Sequence, residues 1–219
     1  MLMDFKAMFR FLEELRDNNH KEWLDRHRKR YLEIKAEYQE WVDHLDVRLE
    51  QLDSDYYPTP GKRAITRINN NLMFHPNKPT YKDYIGAAVD RRPGTGDFYV
   101  HLGAGECFIA GGFFRPEAKV LRSIREGIDY NGEALQALIE APSFVKYFGQ
   151  LDTTDNLKTA PKGYPKDHPH IQLLRRKSFE AYHTMERQMV FEPDYLDYVT
   201  EVYSAMLPFR KYLNKTVTV

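Results

Sequence analysis

The sequence "DYIGAAVDRRPGTGDFYVHLGAGECFIAGGFF", residues 83–114, is the most informative about the fold. Short runs of apolar and aromatic residues alternate here with the turn sequences "PGTG" and "GAG". Gly and Pro interrupt extended chains and supply tight turns, so apolar runs separated in this way are typical of strands joined as hairpins. The pattern predicts an antiparallel three-stranded meander near residues 84–114.

Helical periodicity precedes the meander. Asp4 predicts the N-cap of a first helix that ends near "DNN". Asn19, with Glu22 three residues later, resembles a capping box for a second helix. Apolar and aromatic residues then recur every three or four positions as far as Leu52, which predicts one helix of roughly 50 Å.

Further helices are expected after the meander. Pro116 suits the first turn of one helix, and a shorter helix is expected from Gly132 to Glu140. A strand is expected within "SFEAYHTM", and Pro193 opens a last helix. The chain has 219 residues, of which 42% are hydrophobic, and we find no internal repeat or linker. We therefore expect one α+β domain over residues 1–219, with a central antiparallel sheet packed by a long N-terminal helix and a C-terminal helix.

The stripe of apolar residues on the second predicted helix has three interpretations, of which a groove for a cofactor is one. It contains Trp23, Tyr38 and Trp41, which are large side chains that bury much surface. Packing into the core of the same chain is the simplest interpretation. A seam between two copies is the third, and it would make the protein a homodimer with a structural role.

Charge and cysteine content limit the class of protein. Lys plus Arg equals Asp plus Glu at 32 each, so the chain as a whole lacks the basic excess of a general nucleic-acid binder. The single Cys107 cannot form an internal disulfide, which suits a reducing compartment. No apolar run approaches the ~20 residues of a membrane span, and charged residues interrupt the beginning of the chain. We expect a cytoplasmic protein without a membrane partner.

Two loops carry local positive charge. The first lies within residues 62–82 and has five basic residues and no acidic residue: Lys62, Arg63, Arg67, Lys78 and Lys82. The second is "LKTAPKGYPKDHPH", residues 157–170, whose prolines and glycine predict an irregular loop. Arg and Lys bind phosphate or carboxylate groups, and glycine allows backbone N–H groups to approach a ligand.

These loops predict a site for a small anionic ligand, and a solvated basic surface is the alternative. The candidate anion-binding residues are Arg67, Lys78, Tyr81, Lys82, Lys162, Tyr164 and Lys166, with the tyrosines orienting the anion. A nucleic-acid-associated protein is a further alternative, because aromatic residues make up 14% of the chain and could stack on bases.

Catalytic signals are weak. His101 and His168 are candidate acid–base groups, since an ordinary histidine titrates near neutral pH. The run "DHPH" at residues 167–170 offers ligand atoms but not a recognised zinc spacing, so we assign no metal and no cofactor. Nucleophile elbows, phosphate loops and dinucleotide motifs are missing from the sequence. Whether the protein is an enzyme stays open.

Several blocks of the sequence resemble a family of conserved hypothetical bacterial and fungal proteins, catalogued as domain of unknown function 2461. The family has no established activity that the resemblance would transfer. The resembling blocks are "FLEELRDNNHKEWLDRHRKRYLE" at 11–33, the first basic loop, "GGFFRPEAKVLRSIREGI" at 111–128, "LKTAPKGYPKDHPHIQLLRRKSF" at 157–179 and "LPFRKYLN" at 207–214.

Within the first loop the family pattern resembles R-I-x-R-D-x-R-F-S-x-D-K-T-P-Y-K. This chain matches it at Arg67, Ile68, Phe74, Lys78, Tyr81 and Lys82. It departs from it at Asn70, Asn71, Met73 and Asn77, where the family usually has Arg, Asp, Arg and Asp. Two positive and two negative positions are thus neutral, which fits the joint loss of an ion-pair network or a retuned or inactive site.

Overall fold

A computed structural model describes residues 3–218 of the chain. The helices are α1 Phe5–Asp17, α2 Lys21–Arg26, α3 Arg28–Leu52, α4 Gly61–Ala64, α5 Ala118–Glu140, α6 Pro142–Phe148, α7 Ile171–Leu174 and α8 Tyr195–Thr216. The strands are β1 Tyr84–Val89, β2 Asp97–Gly103, β3 Cys107–Phe113 and β4 Phe179–Met185, and a short 3₁₀ helix covers Arg187–Phe191.

Within residues 3–218 the strands form one antiparallel sheet in the order β1-β2-β3-β4. Strands β1, β2 and β3 are the meander that the sequence predicts. The turn between β1 and β2 contains Gly94 at φ 82°, a left-handed conformation that glycine adopts without strain. Strand β4 pairs with β3 after a long helical connection. The α+β class and the central antiparallel sheet are therefore confirmed.

The first helix begins as the sequence predicts. Asp4 is its N-cap, and the carboxylate Oδ1 accepts a hydrogen bond of 2.8 Å from the Ala7 N–H. This bond satisfies one of the backbone donors that a helix leaves unpaired at its first turn.

Asp4→Ala is expected to lower the free energy of unfolding by about 1 kcal/mol, because the alanine side chain cannot accept that hydrogen bond. Asp4→Ser, which restores an acceptor, is the control and should recover most of the loss. Urea unfolding curves of the two variants would show the difference, and equal stability of Asp4→Ala and the wild type would contradict the capping role.

The second predicted helix is not continuous, and the predicted capping box is wrong. The N-cap of α2 is His20, and the chain leaves helical geometry at His27, with φ −104° and ψ 13°, before α3 begins. The His27 ring stacks on Trp23 with centroids 4.0 Å apart, and Nδ1 of His27 lies 2.8 Å from the Trp23 carbonyl oxygen. This local contact accompanies the break, which the apolar periodicity alone does not show.

The aromatic stripe of α3 packs inside the fold. Trp41 is 8% exposed and stacks on Tyr38 and on Tyr195, with ring centroids 5.6 and 5.4 Å apart. The Phe5 ring meets Trp41 edge-on at 5.6 Å. These side chains are core residues of their own chain, and a homodimer stays a prediction.

Helix α5 contains the two helices expected after Pro116. Asn131, at φ −151° and ψ 57°, interrupts the helical geometry within it. The next residue, Gly132, lies against the His170 ring, and a Cβ at this position would come within 2.4 Å of a ring carbon. The glycine is therefore needed for the close approach of the second basic loop to α5.

The described residues divide into two compact units. The first contains residues 3–91, 99–109 and 184–200, and the second contains residues 92–98, 110–183 and 201–218. That residues 1–219 form one domain stays a prediction. Across residues 3–218, no helix has the length and apolar character needed to cross a membrane.

Candidate functional site

The first basic loop pairs with strand β1 at its beginning, and its two arms pair with each other. Ile65 forms an antiparallel bridge with Ala87, and Asn69 forms another with Tyr81. The Lys82 N–H also donates to the Ile68 carbonyl oxygen at 2.8 Å. The two arms of the loop are thus fixed by backbone hydrogen bonds, while the turn between them, residues 71–79, is exposed.

Asn19 fixes the return arm of this loop. Its side-chain amide donates to the Tyr81 carbonyl oxygen at 2.9 Å, and its side-chain oxygen accepts from the Tyr81 N–H at 2.8 Å. The partners are 62 residues apart in sequence. The residue that the sequence suggested as a helix cap therefore holds the candidate anion site in place.

Three cations of the loop act on one another. Arg67 and Lys78 are exposed, whereas Lys82 is half-buried, with its ammonium 5.5 Å from the centre of the Tyr84 ring. Burial lowers the pKa of Lys82, and the positive charges of Arg67 and Lys78 lower it further. Within residues 3–218 none of the three forms a salt bridge. The loop therefore concentrates positive charge that no neighbouring carboxylate neutralises.

His101 lies next to this charge in an aromatic environment. It is 7% exposed, stacks on Phe108 at 4.3 Å, and lies 4.2 Å from the Tyr84 ring centre. Burial lowers the pKa of His101 to about 4, and the charge of Lys82 acts in the same direction. The ring is therefore neutral at pH 7 and a weak base. An acid–base role for His101 stays a prediction.

Asn70, which replaces a family arginine, has a structural contact. Its side-chain amide donates to the Pro79 carbonyl oxygen at 2.8 Å and so links the two arms of the loop. Met73 and Phe74, at the tip of the turn, are 82% and 69% exposed. Asn71 and Asn77 are exposed as well.

The second loop, residues 157–170, is irregular, as predicted. Lys162 and Lys166 are exposed, and Gly163 adopts a left-handed conformation at φ 96°. Burial raises the pKa of Tyr164, and the carboxylates of Asp129 and Glu126 raise it further. Acidic groups of α5 therefore lie near the tyrosine of this loop.

His168 has partners for both of its ring nitrogens. Nε2 lies 2.9 Å from Oδ1 of Asp129, and Nδ1 accepts the backbone N–H of His170 at 3.0 Å. An Nδ1 that accepts leaves Nε2 to carry the proton that is donated to Asp129. The ring thus fastens the second loop to α5, and a catalytic role for His168 stays a prediction. No group of three or more histidine, cysteine or acidic residues with metal-binding geometry occurs in residues 3–218.

The two basic loops belong to different compact units. Arg67, Lys78, Tyr81 and Lys82 lie in the first, whereas Lys162, Tyr164 and Lys166 lie in the second. The structure brings the three cations of the first loop together, with the buried Tyr81 between Lys78 and Lys82 in sequence. One site shared by both loops stays a prediction.

The sequence analysis missed a cavity within the second unit. It has a volume of about 530 Å³, and its wall includes alternate residues of the β4 region, namely Ser178, Glu180 and Tyr182. Phe179 and Ala181 point to the opposite, buried face. The alternation of polar and apolar residues in "SFEAY" is the signal that could have indicated this wall.

Glu180 has an unusual environment in this cavity. Burial raises its pKa to about 7, and the negative charge of Asp97 on β2 contributes. Both residues belong to the second unit, and β3 lies between their strands in the sheet. A carboxyl group that titrates near neutral pH in a cavity is typical of functional sites.

Comparisons with known proteins identify the family. A search of curated proteins and a search of solved structures returned no match. The family model described as conserved hypothetical protein (DUF2461) matches residues 7–212, which is nearly the whole chain and includes both basic loops. The chain therefore belongs to the DUF2461 family of conserved hypothetical proteins.

Proposed function

We propose that this protein recognises a small anionic group, a phosphate or a carboxylate, through Arg67, Lys78 and Lys82 of the first basic loop. The observation that carries the proposal is the mutual repulsion of these three cations, which have no salt bridge within residues 3–218. An anion between them would remove this repulsion, so its binding is favoured in addition to its direct hydrogen bonds.

The loop has the rigidity that such a site needs. Asn19 holds the backbone of Tyr81, and the neighbouring Lys82 N–H is bonded to the opposite arm. A site whose cations are already close together loses little conformational entropy on binding. Arg67 would contact the anion with its planar fork, Lys78 and Lys82 would act as point charges, and Tyr81 would help to orient it.

The second loop is a weaker part of the proposal. Lys162 and Lys166 are exposed cations, and Gly163 permits a close backbone approach. The acidic Glu126 and Asp129 near Tyr164 reduce the positive potential there. We therefore assign the primary contacts to the first loop and additional ones to Lys162, Tyr164 and Lys166.

Thermal melting with pyrophosphate tests the proposal. A ligand present at ~100 times its dissociation constant stabilises a protein by about 2.7 kcal/mol, so the wild type should melt at a higher temperature with pyrophosphate. Lys82→Gln should lose most of this shift because it removes the central charge. Lys29→Gln is the matched control, since Lys29 is an exposed lysine on α3 with a long 3.9 Å contact to Glu33. Equal shifts in the two variants would contradict the assignment.

A nucleic-acid ligand is the second candidate function. The observation in its favour is the exposed Phe74 ring at the tip of the basic loop, which could stack on a base. A single-stranded oligonucleotide in the same melting experiment distinguishes the two ligands. Stabilisation by the oligonucleotide that exceeds that by pyrophosphate, falls steeply with salt and requires Phe74 would favour this alternative.

A further inference from the structure

The cavity beside β4 lies in the second unit and is independent of the basic loops. Its positive groups are already engaged. The Arg115 Nε donates to Asp155 at 3.1 Å, and the same carboxylate accepts from the Lys177 ammonium at 3.1 Å. The guanidinium of Arg176 is buried and donates to the backbone carbonyl groups of Asp152 and Ser178. Arg115 and Lys177 are thus paired with Asp155, and the negative charge of Asp152 acts on Arg176, so each of these cations has an acidic residue near it.

Glu180 is the exception among the charged groups of the cavity wall. Within residues 3–218 its carboxyl group has no hydrogen bond and no salt bridge, although it is half-buried. The charge that acts on it is the negative charge of Asp97. When it is ionised, Glu180 is thus a carboxylate of the cavity wall that has no cationic partner among the described residues, and a cation would serve as its counter-ion.

Aromatic rings lie in the same wall. Phe114 is 65% exposed and Tyr182 is 41% exposed, and both line the cavity with Glu180. The guanidinium of Arg115 lies 5.5 Å from the centre of the Phe114 ring, so a ligand cation would share this ring with Arg115. Aromatic faces attract organic ammonium groups, and a carboxylate supplies a counter-charge for them.

The backbone at the cavity edge is also unusual. Arg115 has a positive φ of 43°, and its N–H donates to the Ser178 hydroxyl oxygen at 2.9 Å. Non-glycine residues with positive φ carry strain that the surrounding structure must offset, and they cluster at binding sites. The strained residue therefore holds Phe114 and Ser178 at the same edge of the cavity.

We propose that this cavity binds an organic cation, a primary or quaternary ammonium compound, with Glu180 as its counter-ion and with Phe114 and Tyr182 contacting its apolar groups. The volume of about 530 Å³ accommodates a small molecule of this kind. Ser178 contributes a hydroxyl group, and Gln150 and Asn156 contribute amides for the polar part of the ligand.

Calorimetric titration at pH 8 with choline, tetramethylammonium and butylammonium tests the proposal. The wild type should bind at least one of them, and the uncharged carbon isostere of choline should bind much more weakly. Glu180→Gln should weaken binding by at least about tenfold, because it removes the counter-ion while keeping the shape. Glu133→Gln, which changes an exposed carboxylate of α5 in the same unit, should bind like the wild type.

The affinity should also depend on pH. A cation requires the ionised form of Glu180, whose fraction falls from about nine-tenths at pH 8 to about one-tenth at pH 6, so affinity should fall about tenfold. The other charged or titratable groups near this site are Asp97 on β2, Arg115 after β3, Asp152 and Asp155 after α6, and Arg176 and Tyr182 near β4. In Glu180→Gln the affinity should no longer depend on pH, which distinguishes titration of Glu180 from titration of these neighbours.

Three results would overturn the proposal: no binding of any of the three cations by the wild type at pH 8, undiminished binding by Glu180→Gln, or equal affinity at pH 6 and pH 8. Lys82→Gln separates this inference from the proposed anion site. It should bind the cation normally while losing the response to pyrophosphate, since Lys82 lies in the other unit.

Discussion

Glu180→Gln is expected to raise the free energy of unfolding by about 2 to 3 kcal/mol at pH 8 and by less than about 1 kcal/mol at pH 5. The native structure raises the pKa of Glu180 from 4.5 to about 7, so the folded protein binds the proton more tightly than the unfolded chain. Such a group favours folding at low pH and loses that contribution as the pH rises through the native pKa. A glutamine remains neutral and avoids the loss.

Urea unfolding at several pH values between 5 and 8 measures this effect. The difference between Glu180→Gln and the wild type should grow through this range, whereas Glu133→Gln, at an exposed position of α5, should change stability little at any pH. If Glu180→Gln gained the same free energy of unfolding at pH 5 and at pH 8, the raised native pKa of Glu180 would be contradicted.

Asn19→Ala is expected to lower the free energy of unfolding by about 2 to 4 kcal/mol, because two hydrogen bonds to the Tyr81 backbone are lost and each unsatisfied partner costs about 1 to 3 kcal/mol. The change should also weaken pyrophosphate binding, since the return arm of the first loop is then less ordered. Asn19→Asp keeps the acceptor for the Tyr81 N–H but loses the donor, so its effect should be intermediate.

The neighbouring Asn18 offers a matched control. Its side-chain amide donates to the Glu14 carbonyl oxygen at an exposed helix end, so Asn18→Ala should cost less than about 1 kcal/mol. Urea unfolding gives the stabilities, and hydrogen exchange of the Tyr81 amide reports on the loop directly. Unchanged exchange at Tyr81 in Asn19→Ala would contradict the role of this side chain.

The local features of the fold could be predicted from the sequence. The meander depends on Gly and Pro turns that lie within about thirty residues of one another, and the Asp4 cap depends on a contact three residues away. Such signals need no knowledge of the rest of the chain. The break at His27 was missed because apolar periodicity is the same for one helix and for two helices joined by a short interruption.

The candidate sites depended on contacts that are distant in sequence. Asn19 forms hydrogen bonds with the backbone of Tyr81, which is 62 residues away in sequence. Without knowledge of this partner, Asn19 and the Glu22 that follows it resemble a capping box. In the sequence Glu180 is an ordinary carboxylate of a predicted strand. Its burial and the nearby charge of Asp97 are evident only in the structure. The cations of the first loop were found because they are close in sequence, whereas their lack of acidic partners became evident in the structure.

The most direct test of the proposed anion site is an NMR titration of the labelled protein with pyrophosphate up to about 10 mM. The amide resonances of residues 67–82 should shift and reach saturation in the wild type, and these shifts should be lost in Lys82→Gln. Saturable shifts confined to other parts of the chain, or no shifts at all, would contradict recognition of an anion by Arg67, Lys78 and Lys82.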